Sequence, residues 1–239
     1  MLLKEIKLSD SIKYHPELSD KLWTSGNVLK KEVKEALDKI ASEFIETLGV
    51  DTDAVVDIII TGSMVNYNYT KYSDIDLHVV IDYKNLCKDC VKFSVADCMD
   101  AKRSLWNERH DITIYGLDVE LYVHDSTDKI TGNAGVYSIK NNRWLRLPKK
   151  ETNVEYDRNL IRQKAESLMN QIDSVIEYGT SDNISDLQKK IRNVRKSGLE
   201  KHGEYSPENL AFKLIRNAGY MDKLYKAGQN KTDDELSLK

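Results

Sequence analysis

The chain has 239 residues, which fits one large domain or a catalytic domain with a smaller companion, because single cores stop growing near roughly 250 residues. Hydrophobic residues make up 40% and charged residues 31%, with 11 Gly and 3 Pro, which excludes fibrous and compositionally disordered classes. Thirty-six Lys and Arg against 39 Asp and Glu give a net charge of −3, so any nucleic-acid contact must come from a local patch rather than from a general attraction to phosphate.

The longest apolar run, Val55 to Ile60, is interrupted by Asp57 and falls far short of the ~20 residues needed to cross a bilayer. Met1-Leu2-Leu3-Lys4-Glu5 lacks a signal-peptide core, so the expectation is a cytoplasmic protein with no membrane association. Cys87, Cys90 and Cys98 are odd in number and clustered, which predicts reduced thiols rather than a disulfide framework.

In chain order, Leu29, Val33, Leu37, Ile40, Phe44 and Leu48 recur at helical spacing and predict an amphipathic helix over residues 28–48 that Gly49 ends. Residues 54–61 are β-branched and short and predict a buried strand, and 75–81 alternate apolar and polar as a second strand. Residues 85–106 predict a helix, 111–123 one or two strands, and 135–147 a strand or hairpin before a boundary at Pro148-Lys149-Lys150. Beyond it the pattern is helical: a long helix through Leu160 to Ile176, a second over 184–201, a third over 207–228 with Ser206 as cap and Pro207 at its first position, and a polar end, 231–239, that frays. This divides the chain into domains at 1–150 and 151–239.

The stretch from Ile60 to Val80 carries the chemistry. It reads strand, Gly62-Ser63, ten intervening residues, then Asp74-Ile75-Asp76-Leu77 opening the next strand. Side chains alternate across a strand, so Asp74 and Asp76 share one face while Ile75 and Leu77 enter the core. Adjacent carboxylates repel and require a compensating cation, and hard oxygen ligands suit Mg²⁺ completed by water and substrate phosphates. In Gly116-Leu117-Asp118-Val119-Glu120-Leu121, either Asp118 or Glu120 offers a third carboxylate. Glu120 is preferred because it lies centrally in its strand. Gly62-Ser63, opening a short helical turn, supplies backbone N–H groups and a hydroxyl for terminal phosphates.

These residues together, Gly62-Ser63, ten residues, Asp74-x-Asp76 and a later strand-borne acid, resemble the polymerase-β-type nucleotidyltransferase superfamily, and within it compact bacterial and phage members. The resemblance covers about the first two-thirds of the chain. It implies an α/β fold of the α+β kind, with a mixed sheet flanked by helices and followed by a C-terminal helical domain. It further implies that Asp74, Asp76 and either Glu120 or Asp118, with Glu120 preferred, hold two Mg²⁺ ions, or Mn²⁺, that Gly62, Ser63 and, where it is not a ligand, Asp118 meet the substrate, and that a nucleoside triphosphate donates its nucleoside monophosphate with release of pyrophosphate. The acceptor it suggests first is a nucleic-acid hydroxyl such as a tRNA end. Transfer to a small-molecule or protein hydroxyl, as in antibiotic-modifying or toxin-antitoxin enzymes, synthesis of an oligonucleotide signal, and non-catalytic nucleotide binding are the alternatives.

Other features are weaker. Lys189-Lys190-Ile191-Arg192-Asn193-Val194-Arg195-Lys196 sets five cations in eight positions, and Arg192 and Arg195, three apart on one side, are the candidates for phosphate contact. Cys87-x-x-Cys90, Cys98 and His110 offer zinc-type ligands, but on one helix Cys87 and Cys98 lie about 16 Å apart at ~1.5 Å per residue. Small buried hydrophobes is the better description of these cysteines. His78 shares the face of the Asp pair and is expected to hydrogen-bond within the sheet. Arg143, Trp144 and Arg146 combine cation and ring in a way that suits base stacking or a strand edge, and Tyr67, Tyr69 and Tyr72 stand near the Gly-Ser turn.

Overall fold

The computed structural model describes residues 13–86, 92–130, 134–150 and 155–238. They group into two compact units, one spanning Tyr14–Lys150 and the other built from residues 155–238 together with Lys13. The protein is a mixed α/β fold with a C-terminal helical part.

In the first unit, helix α1 (Lys31–Leu48) buries Val33, Leu37, Phe44 and Leu48 of the predicted stripe together with Ala41 and Ile45, while Ile40 is half-buried, and Gly49 closes the helix with an N–H bond to the Glu46 carbonyl. The helix starts three residues later than the predicted range. Leu29 instead bridges to Trp23 in a short extended pair, and Lys30 forms the N-terminal boundary.

A six-stranded sheet follows, ordered β3-β4-β2-β1-β5-β6, from β1 (Val55–Thr61), β2 (Ile75–Ile81), β3 (Thr113–Ile114), β4 (Leu117–Asp125), β5 (Val136–Ser138) and β6 (Arg143–Arg146). β1 and β2 are antiparallel, and β2 and β4 are parallel, which makes the sheet mixed. A parallel pair needs a long crossover, and residues 82–116 supply it with α2 (Tyr83–Leu86), α3 (Lys92–Arg109) and β3.

Alternation gives this sheet two unlike faces. Ile75, Leu77, Val79 and Ile81 of β2 and Val119 and Leu121 of β4 join the same buried cluster as α1 and the α3 residues Val95, Met99 and Trp106. Each such fully buried aliphatic side chain contributes about 1.5–3 kcal/mol. The opposite face carries Asp76 and His78 of β2 and Glu120, Tyr122 and His124 of β4. Asn107 of α3 fixes the outer margin of β4 by pairing both its amide N–H and its carbonyl oxygen with the backbone of Leu121, each at 3.0 Å.

The predicted helix 85–106 is two helices, α2 and α3, and Cys87 and Cys90 lie outside the described residues. Cys98 is exposed and free rather than a buried hydrophobe, because it falls on the outer side of α3 while Val95 and Met99 face inward. Trp144 is spent on packing: its indole N–H donates to the Asn27 carbonyl at 2.9 Å, and it stacks on Trp23 with centroids 4.7 Å apart. Arg146 serves its own loop, donating to the carbonyls of Ala134 and Ile130, while Arg143 is exposed.

The helical unit contains α4 (Arg158–Tyr178), α5 (Ser181–His202), α6 (Pro207–Asn217) and α7 (Tyr220–Leu236) around a core of Ile161, Ile172, Ile184, Ile191, Leu210, Leu214 and Leu224 among others. Asp157 caps α4, Thr180 and Asn183 form a reciprocal capping box on α5, and Ser206 caps α6 with Pro207 at its first turn. The single predicted helix over 207–228 is two. Gly219, at φ 75°, breaks it in the left-handed region, so that Met221 and Leu224 turn back into the core. The predicted frayed end is also helical to Leu236. Lys231 reaches the Gly179 carbonyl, and Glu235 accepts from both the backbone N–H and the hydroxyl of Ser181.

Candidate active site

β1 ends where β2 begins, and β4 runs parallel beside β2, so three chain segments meet at one margin of the sheet. The register sets Thr61 opposite Asp76 on one side and Glu120 opposite Asp76 on the other. Asp74 sits one residue before β2 on the same face. One ligand atom from each of Asp74, Asp76 and Glu120 lies within 4.8 Å of the others, and none of the three is fully buried. Three carboxylates this close share a strong negative potential that favours a hard cation at their centre. The donor set therefore fits Mg²⁺ or Mn²⁺, and Asp74, Asp76 and Glu120 are the residues able to hold it.

Asp118 precedes Glu120 by one pleat and stands outside this group. It is exposed, opposite Thr113 in the short β3 pairing. The choice that the sequence left open between the two acids therefore has a geometric answer in the parallel register, where Glu120 is the direct partner of Asp76.

Gly62 adopts φ 81°, ψ −162°, and a Cβ built on it would lie 1.8 Å from Asp76 Oδ2. Glycine is required here twice over: for the positive φ and for the close approach of the carboxylate. Ser63 opens a one-turn 3₁₀ helix, Ser63–Val65, and its hydroxyl donates to Ser73 Oγ at 2.7 Å. Ser73 Oγ also accepts the Thr70 N–H at 2.9 Å, so the loop that follows the Gly-Ser turn is tied back beside Asp74. Sequence inspection passed over Ser73; its position next to Asp74 was the available signal. Tyr67 is buried, and Tyr69 stacks on His15 with ring centroids 3.7 Å apart.

Behind the acids, the same sheet face carries aromatic and imidazole groups. The Tyr122 hydroxyl donates to Glu120 Oε2 at 2.6 Å. Burial, then that hydrogen bond and the carboxylates of Asp76, Glu120 and Asp74, hold the phenol well above its ordinary range. His78, the direct partner of Tyr122 in the parallel register, stacks on its ring at 4.7 Å and 17°. His78 Nδ1 is 3.4 Å from His124 Nδ1, so the expected hydrogen bonding within the sheet is present. Burial and then His124 lower the His78 pKa to about 3, and burial lowers that of His124. Two neutral imidazoles therefore back the acid cluster. Sequence reading missed Tyr122, although it lies two residues from Glu120 in an alternating strand and so on the same face.

In the helical unit, Arg192 is exposed with a long bond to the Gln188 carbonyl. Arg195 is engaged within its own unit: Nε donates to Asn209 Oδ1 at 3.1 Å, and the guanidinium lies 4.4 Å from the Phe212 ring centroid. Lys189 pairs with Asp186, and Lys190 with Gln171.

No family model matches the chain, and no curated protein does. Among solved structures, it is similar to a STING-associated CdnE c-di-GMP synthase from Capnocytophaga granulosa, at 14% identity and a TM-score of 0.22, covering 84% of this chain and 68% of that one. It is similar also to the Elizabethkingia meningoseptica CdnE cyclic dinucleotide synthase with GTP and Apcpp, at 12% identity and a TM-score of 0.25, covering 84% of this chain and 86% of the other. Among the described residues, no helix is long and apolar enough to cross a membrane.

Proposed function

We propose that the protein is a metal-dependent nucleotidyltransferase that moves a nucleoside monophosphate from a nucleoside triphosphate to an acceptor hydroxyl. The observation that carries this reading is the convergence of Asp74, Asp76 and Glu120 within 4.8 Å beside the Gly62-Ser63 turn. An isolated pair of surface acids has no need of a glycine whose missing Cβ makes room for one of the carboxylates.

In this reading Asp74, Asp76 and Glu120 hold divalent cations, which when bound neutralise charge on the entering and departing oxygens. Gly62 and Ser63 orient the triphosphate with backbone N–H groups at the turn. The acceptor oxygen attacks the α-phosphorus in line, the bond from that phosphorus to its bridging oxygen breaks, and pyrophosphate leaves. The acceptor proton passes to solvent. Residues 1–150 form the catalytic domain and 151–239 the helical domain, and Arg192 is the exposed cation proposed for acceptor phosphate.

The acceptor in this reading is a nucleic-acid hydroxyl such as a tRNA end. The test is incubation of the full chain with Mg²⁺ and each α-labelled nucleoside triphosphate, with bulk RNA, with protein, or with no acceptor. Label in RNA is the expected result. Label in a protein assigns the acceptor there, and label in a short or cyclic oligonucleotide without added acceptor assigns signal synthesis. No Mg²⁺-dependent transfer in any arm overturns the enzymatic reading.

A further inference from the structure

The acid cluster is held by a group outside it. A glutamate carries three side-chain torsions, and its carboxylate reaches a defined place only when something fixes the last of them. Asp76 is confined by Gly62, whose Cα it crowds. Glu120 projects from the neighbouring strand, and its anchor is the Tyr122 hydroxyl at 2.6 Å from Oε2. That is the length of a charge-assisted O–H···O⁻ bond, roughly twice as strong as a neutral one.

Tyr122 is itself braced. His78, opposite it in the β2–β4 register, stacks on the ring at 4.7 Å, and the Arg103 guanidinium carbon lies 5.6 Å from the ring centroid. Arg103 is in turn fixed by Asp100, to which both its Nε and one terminal nitrogen donate at 2.9 and 2.7 Å. A chain of contacts thus runs from α3 to one oxygen of Glu120.

We propose that Tyr122 is the positioning residue of the candidate metal site, setting Glu120 through its hydroxyl while the His78 ring and Arg103 set Tyr122. This rests on the nucleotidyltransferase reading for its purpose but concerns the metal affinity of the chain. Carboxylate ligands are oriented by hydrogen-bonding partners of this kind, and removing one typically costs about 10- to 100-fold in metal affinity or activity. If the phenol merely satisfies its own hydrogen bond at the sheet surface, removing the oxygen changes stability and leaves metal affinity alone.

The experiment uses the full chain with Tyr122→Phe, which keeps the ring and its stacking and removes only the donor. Mn²⁺ affinity is measured by calorimetry and by the loss of free-ion magnetic resonance signal, alongside nucleotide transfer across a Mn²⁺ series. Mn²⁺ affinity is expected to fall about 10- to 100-fold, with transfer reduced at limiting Mn²⁺, recovering at saturation, and with little change in Tm. Placing 4-aminophenylalanine at 122, which restores a donor at the para position, is expected to recover affinity. Should the phenylalanine variant not fold, an isosteric fluorinated tyrosine at 122 changes donor strength at constant shape, and its Mn²⁺ affinity is expected to differ from that of the natural chain. Unchanged Mn²⁺ affinity in these variants, while Asp76→Asn abolishes binding, overturns the role of Tyr122 and leaves the functional reading standing. A natural chain that binds no Mn²⁺ and transfers no nucleotide overturns both.

Discussion

The helical unit and the sheet margin treat their acidic groups differently. In the helical unit Glu208 meets Lys164 at 3.0 Å, Glu204 meets Lys213 at 3.1 Å, and Asp173 meets Lys223 at 2.6 Å, so these three carboxylates are matched to cations within the unit. At the sheet margin, Asp74, Asp76 and Glu120 face one another. The first arrangement lowers the energy of the chain as it stands. The second concentrates negative charge at one place on the sheet, which favours a cation there. The difference also runs through the polar partners. Asn209, fully buried, closes a network with Arg195 and the Glu204 carbonyl, whereas Tyr122 points its hydroxyl at a carboxylate that already has two acidic neighbours.

Five substitutions press on this contrast. The largest effect is expected for Asp76→Asn, which removes one charge from the cluster: nucleotide transfer should fall by at least ~10²-fold with the unfolding transition retained, as loss of transition-state charge stabilisation requires. Circular dichroism and labelled-nucleotide transfer check it, and unchanged transfer would break the contrast at its root. Gly62→Ala comes next, since a Cβ would be driven into Asp76 from a backbone at φ 81°. It should cost about 1–3 kcal/mol in denaturant unfolding and depress transfer as well.

In the helical unit the same measurements should separate. Arg195→Ala strips the donor from Asn209 and the cation from the Phe212 ring, which should cost about 1–2 kcal/mol of stability. Arg192→Ala, at an exposed site, should leave unfolding unchanged, and a shift in RNA affinity there would sharpen its assignment to acceptor phosphate.

The smallest measurable loss of stability is expected for Glu208→Gln. The Lys164 hydrogen bond holds the Glu208 carboxyl below its usual range. Its stabilising contribution is therefore present above the unfolded-state value near 4.5 and is lost as the pH falls through the lower folded-state value. The variant should lose under about 1 kcal/mol at neutral pH, and its stability should decline less than that of the natural chain on acidification. Denaturant midpoints from pH 7 to pH 3 follow it, and parallel curves for the two proteins would remove the pair from the account.

The elements were largely legible because periodicity reports burial. Val33 to Leu48 and Ile75 to Ile81 show their faces plainly, and Ser206-Pro207 announces a helix start. Boundaries that depend on distant contacts were not legible. Leu29 leaves the helix pattern for Trp23, Gly219 divides a continuous apolar stripe, and Lys231 and Glu235 hold a polar end helical through partners about 50 positions earlier. Cys98 reads as a small hydrophobe in any composition table, and only the placement of α3 shows it exposed.

At the site, the sequence by itself determined that Asp74 and Asp76 share a face and that a glycine stands at the end of the preceding strand, since both follow from a two-residue period and from local backbone geometry. Tertiary structure alone decided which later acid joins them, because the parallel register of β2 with β4 aligns Glu120 with Asp76 and leaves Asp118 exposed one pleat away. It also decided that Tyr122 holds Glu120 and that Arg195 serves its own unit, because strand register and helix packing bring together groups whose separation along the chain carries no trace of their contact.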